Sequence, residues 1–162
     1  MRARRRKDGS LLVLGIPPLV AEVARELPDL LGADQPDAVK RRLYPDPTDD
    51  PEDAAEWRRA QHPELFALLA DAKRIVESDL SSLVRGREPR TWRLEIPATH
   101  VTAWISAINA ARLTLAAGHD VVAADMDPER TPAFDERGLA ILRIDLYAWL
   151  QGVLIDAVSP AG

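Results

Sequence analysis

Catalysis needs convergent titratable side chains, and this sequence of 162 residues offers few of them. Its three histidines, His62, His100 and His119, are far apart and fall at expected helix ends or breaks. They form no His-x-x-x-His pair, and no Glu stands beside them in a zinc-protease arrangement. Surface or capping roles are therefore expected for all three. No Gly-rich phosphate loop or Gly-x-Ser-x-Gly elbow is present. There is no cysteine, which removes disulfides, thiolate zinc sites, iron–sulfur clusters and thiol nucleophiles together. The expectation is a protein that is not an enzyme and needs neither metal nor cofactor.

Three groups of polar residues and a set of tryptophans remain. Asp46, Asp49, Asp50, Glu52, Asp53 and Glu56 carry the oxygen ligands that calcium or magnesium prefers, but they lack the turn glycine and distal glutamate of an EF-hand. A solvated loop and a helix N-cap explain them better. Asn109 and Arg112, three residues apart, can share a helix face and brace another element by hydrogen bonds. Arg2, Arg4, Arg5, Arg6 and Lys7 concentrate charge of the kind that meets nucleic acid or another acidic surface. Trp57, Trp92, Trp104 and Trp149 each fall on an apolar stripe, where core packing is the default.

The elements that must hold these groups are mostly helical. Residues 10–16 form a short apolar run, and Pro17-Pro18 opens a helix with Leu19, Val23, Leu27, Leu30 and Leu31 on one stripe. Asp37–Tyr44 is a brief helix ending before Pro45. Asp50-Pro51-Glu52-Asp53 reads as a cap, a first-turn proline and two carboxylates at the positive end of a helix dipole. That helix is expected to break at His62-Pro63 and resume through Leu65, Leu69, Ala72, Val76 and Leu83. Residues 91–96 alternate apolar and polar side chains in the manner of a strand with one buried face. A helix bearing Val101, Trp104, Ile108 and Leu115 follows and stops at Gly118. Residues 121–132 read as a loop. The last helix runs to Val158, with Leu139, Leu142, Leu146, Trp149, Leu150 and Val153 as its main stripe and Ile141, Ile144, Leu154 and Ile155 off it. It is either central to the core or shared with a partner subunit.

The fold expected is mainly α: a single helical domain over 9–162 with a two-stranded β-ribbon from residues 10–16 and 91–96, preceded by a basic tail over 1–8. A length of 162 residues suits one core. Net charge of -5 argues against a whole surface committed to nucleic acid, although a local basic patch is compatible with it. Asp8, Pro17 and Pro18 interrupt what would otherwise resemble a signal peptide, and no apolar stretch reads as a membrane span, so a cytoplasmic location is expected.

The segments Arg41-Arg42-Leu43-Tyr44-Pro45-Asp46 and Asp49-Asp50-Pro51-Glu52-Asp53-Ala54-Ala55-Glu56-Trp57-Arg58-Arg59 resemble an actinobacterial family of unknown function. Ala103-Trp104, the helix with Asn109 and Arg112, and Tyr147-Ala148-Trp149-Leu150-Gln151 extend the resemblance over nearly the whole chain. Members are typically encoded beside the adaptor of the Clp protease and are commonly labelled oxidative-stress transcriptional regulators. The resemblance thus implies regulation. Thiol-based sensing has no basis here, because there is no cysteine. No helix-turn-helix is evident either.

The reading that fits an acidic chain is a non-enzymatic regulatory or interaction protein. It would act on a transcription or Clp-related partner through Arg41, Arg42, Arg58 and Arg59, as a homodimer away from membranes. A DNA-binding transcriptional regulator is the alternative, so direct contact with nucleic acid stays open.

Overall fold

The basic segment that opens the chain pairs with the apolar run behind it. In the computed structural model, which describes residues 1–32, 35–127 and 133–159, β1 (Arg2–Arg5) and β2 (Leu11–Ile16) form an antiparallel hairpin with Arg2 opposite Leu14 and Arg5 opposite Leu11. The turn is closed by the Arg6 N–H donating to the Ser10 carbonyl at 2.8 Å and the Gly9 N–H to the Arg6 carbonyl at 3.0 Å. Gly9 takes φ +83°, a region that a Cβ disfavours. Asp8 Oδ1 accepts from both the Ser10 N–H and the Ser10 hydroxyl. Those bonds favour the charged form and hold the Asp8 carboxyl below the usual aspartate value.

β2 pairs antiparallel with β4 (Trp92–Ile96), as the expected ribbon requires, and β4 pairs with β3 (Val84–Arg85). The result is a four-stranded sheet in the order β1-β2-β4-β3, larger than the two-stranded ribbon expected. Both additions escape a sequence reading for a physical reason. β1 reads Arg-Ala-Arg-Arg, with one small apolar residue to mark its inward face, and β3 is two residues long. Most of the segment set apart as a tail is this edge strand and its turn.

Alternation sorts the two faces of the sheet. Leu11, Val13, Ile16, Leu94 and Ile96 point inward and are buried in the single core that sheet and helices share. The helices are α1 (Pro18–Glu26), α2 (Asp37–Leu43), α3 (Pro51–Leu80), α4 (Val101–Gly118) and α5 (Glu136–Val158), with a 3-10 turn at Leu27–Leu31 after α1. Buried positions in α1 are Val20, Ala21, Val23 and Ala24, while Leu19, expected on the stripe, is 52% exposed. α4 is central: Trp104, Ala107, Ile108 and Ala111 are fully buried, and it packs against α2, α3 and α5.

Two helices depart from expectation. α3 runs unbroken through Pro63. Proline removes the N–H that would reach the Arg59 carbonyl and crowds that oxygen. Arg59 is at an exposed position, where water can replace the missing donor. On the other side His62 sits among the rings of Tyr44, Trp57 and Phe66, with centroids 5.4 to 5.7 Å from its own. In α5 the expected stripe is split, with Leu150 buried and its other leading members exposed. Ile141, Ile144, Tyr147, Leu150 and Leu154 are buried, whereas Leu139, Leu142 and Trp149 are exposed. Both faces are apolar, so periodicity alone cannot tell which one meets α4.

The buried Tyr147 hydroxyl donates to the Val23 carbonyl at 2.7 Å, and burial raises its pKa well above that of a free tyrosine. By length and mean hydropathy α5 is also a candidate membrane span, which the sequence reading did not anticipate. Its residues Ile144, Tyr147, Leu150 and Leu154 are nonetheless part of the shared core. The expected loop over 121–132 holds a 3-10 turn at Ala123–Met126, and its residues 128–132 lie outside those described.

Candidate anion-binding face

The outward positions of the same strands gather charge of one sign. Arg2 and Arg4 of β1, Leu12 and Leu14 of β2 and Arg93 of β4 all turn away from the core, and Arg6 extends the row from the hairpin turn. The turn after β3 brings in Arg87. It is closed by the Gly86 N–H donating to the Thr91 carbonyl at 2.8 Å and by the Thr91 hydroxyl donating to the Glu88 carbonyl at 2.8 Å. Gly86 is needed there: a Cβ would lie 2.6 Å from Thr91 Oγ1. Together these residues surround a hollow of about 460 Å³ with a leucine floor and a rim of arginines that also includes Glu88.

Charge on this face is poorly compensated. Arg6 pairs with Glu95 across the sheet. Among the described residues, no carboxylate lies in ion-pair contact with Arg2, Arg4, Arg87 or Arg93. Residues 1–10 and 84–96 hold nine Arg and Lys against three Asp and Glu, leaving twelve against twenty-three for the rest of the chain. A protein of net charge -5 therefore carries a strongly positive end. Beside the hollow, the Arg25 and Arg85 guanidinium groups each stand 4.3 Å from the centre of the Trp92 ring and hold that indole in place.

The other arginines singled out in the sequence do not form one patch. Arg58 is paired with Asp46 at 2.6 Å, and Arg59 Nε donates to the Ala55 carbonyl at 3.3 Å. Arg41 and Arg42, on α2, line a separate hollow of about 520 Å³ against Ala116, Val121 and Val122. Of the expected polar brace, Arg112 donates to Gln151 at 2.8 Å and so ties α4 to α5. Asn109 does not join it: it is exposed and lines a groove of about 680 Å³ between α3 and α4. Asp50 caps α3 by accepting from the Glu52 and Asp53 N–H groups at 2.9 and 3.1 Å, as its sequence context predicts. Among the described residues no three His, Asp or Glu side chains converge as a metal site would need.

One constellation, which no motif or spacing announces, resembles catalytic machinery. Asp79, 8% exposed at the end of α3, accepts from Trp104 Nε1 at 2.9 Å and lies 3.0 Å from His100 Nδ1. A carboxylate that orients a histidine is half of a triad. No hollow described above includes His100, and no nucleophile is hydrogen-bonded to it. What the trio does is join the end of α3 to the start of α4 while satisfying a buried carboxylate.

Compared with known protein families, residues 3–158 match a domain of unknown function, DUF2017. The chain belongs to the DUF2017 family. That match spans the sheet, all five helices and nearly the whole arginine-rimmed face, so the face is part of the DUF2017 domain rather than an appendage to it. No curated protein and no solved structure matches the chain.

Proposed function

We propose that this DUF2017 protein is a non-enzymatic interaction module that docks an acidic segment of a partner protein on the outer face of its sheet. The observation that carries this reading is the set of four arginines without carboxylate partners around a floor of Leu12 and Leu14. Arginine offers a planar fork of donors suited to carboxylates, and leucines beneath it suit an apolar side chain of the same segment. Nucleic acid is the second candidate for a face of this charge. It is favoured less because single strands are usually held by stacking on aromatic rings, and no ring lines the hollow. The regulatory setting implied by the family resemblance, in transcription or Clp-dependent proteolysis, is where such a partner is to be sought.

The test is fluorescence anisotropy with a labelled peptide of alternating Glu and Leu, run beside a single-stranded oligonucleotide of the same net charge. The peptide should bind more tightly, with affinity falling as salt rises. Replacing Arg2, Arg4, Arg87 and Arg93 by Ala should weaken it at least tenfold, about 1.4 kcal/mol or more. Replacing Arg41, Arg42, Arg58 and Arg59 should leave it nearly unchanged. Loss of binding only in the second variant would move the docking site to the helical side. Tighter binding of the oligonucleotide would turn the assignment to nucleic acid.

A further inference from the structure

The exposed face of α5 has a regularity that its core-facing side does not need. Leu139, Leu142, Leu146, Trp149 and Val153 follow one another at spacings of three, four, three and four residues. This is the a/d pattern of a helix that packs lengthwise on another helix. Leu139 is 51% exposed, Leu142 39% and Trp149 44%, while Leu146 and Val153 are half-buried at the edges of the stripe. The seam runs for about 21 Å beside the residues that α5 buries, with Leu150 one turn from Leu146 and with Ile144, Tyr147 and Leu154 farther round the helix. Among the described residues, the elements that pack most extensively against α5 are α4, α1 and β1.

We infer that this seam is the interface of a homodimer, in which α5 of one copy packs antiparallel on α5 of a second. Three observations favour a second copy over other occupants. The seam matches itself: a two-fold axis crossing α5 between Leu142 and Leu146 sets Leu142 against the partner's Leu146 and Leu139 against the partner's Trp149. Its charged neighbour Arg143 is already bonded to Glu26 at 3.1 Å, so it does not select a partner of opposite charge. A bilayer is disfavoured because the helix cannot insert without withdrawing Tyr147, Leu150 and Leu154 from the core. The antiparallel arrangement follows from Asp156, the next position in the repeat. A parallel pair would set Asp156 on its own copy and Trp149 on Trp149.

Light scattering over a concentration series at micromolar chain should give twice the chain mass of 17.9 kDa. Leu142→Glu together with Leu146→Glu should return the mass of one chain with an unchanged circular dichroism spectrum. Leu142→Glu alone, at a more exposed position, should raise the dimer dissociation constant at least tenfold. Leu68→Glu, on the 66% exposed position of α3, should change nothing. Because the chain has no cysteine, a short bifunctional thiol reagent should join a mixture of Leu142→Cys and Leu146→Cys chains more efficiently than either alone. A wild-type mass of one chain, a dimer indifferent to the seam variants, or a monomer that floats with phosphatidylcholine vesicles would each overturn the inference. Preferential joining of like chains would overturn the antiparallel arrangement.

Discussion

The outer face of the sheet and the solvent side of α3 are both exposed and both rich in charge, yet they differ in how that charge is answered. Along α3 and the loop before it, Arg58 faces Asp46, Arg74 faces Asp71 and Lys73 approaches Glu77. Ala54 is the one buried residue between Pro51 and Ala70. On the sheet, Arg2, Arg4, Arg87 and Arg93 stand around Leu12 and Leu14 with Glu88 at the rim, and among the described residues none of the four is in an ion pair. A binding surface is marked less by the amount of charge it exposes than by charge its own chain leaves uncompensated. Exposed pairs of the α3 type contribute little, commonly below about 1 kcal/mol.

The contrast can be broken first at its foundation. Leu94 is buried directly beneath the sheet, and Leu94→Ala should cost about 2–5 kcal/mol in urea unfolding and weaken peptide binding with it, since the arginines keep their spacing only on an intact sheet. On α3 the corresponding change should go the other way. Pro63→Ala restores a backbone donor in a helix interior and should stabilise the helix by up to about 3 kcal/mol, read as greater amide protection over residues 55–66. Peptide affinity should not follow it. If binding rises with α3 protection, the two regions are coupled and the comparison fails.

The smallest effect concerns the hairpin turn. The folded Asp8 carboxyl titrates below its unfolded value, so its contribution to stability is present above the ordinary aspartate range and is lost as pH falls through the folded pKa. Hairpin amides should therefore lose protection relative to their intrinsic exchange rates on acidification below about pH 4, and Asp8→Asn should remove that dependence. A pH profile unchanged by the substitution would mean that the turn does not depend on the Asp8 charge.

How much of this was legible follows from what each signal measures. Caps, strand alternation in 91–96 and the pairing of residues 10–16 with that strand were readable because each is local or repeats with a clear period. β1 was not, since a strand whose outward residues are charged and face solvent looks like a charged tail. Arg87 and Arg93 could have been added to the basic cluster from the expected pairing, which places the turn at 85–90 beside the N-terminus. The Asp79–His100–Trp104 trio was invisible, because its members lie 21 and 25 residues from Asp79 and meet only through the helix crossing. Both apolar faces of α5 were legible, but which of them meets the core was not, because that choice depends on α4.

The bond from Tyr147 to the Val23 carbonyl spans 124 residues, nearly the length of the domain. During synthesis the first helix must therefore wait, its apolar side uncovered, until the last one has left the ribosome. Folding of this chain should be a late event governed by long-range closure, and its nascent form should be a natural client for chaperones that shield apolar surface.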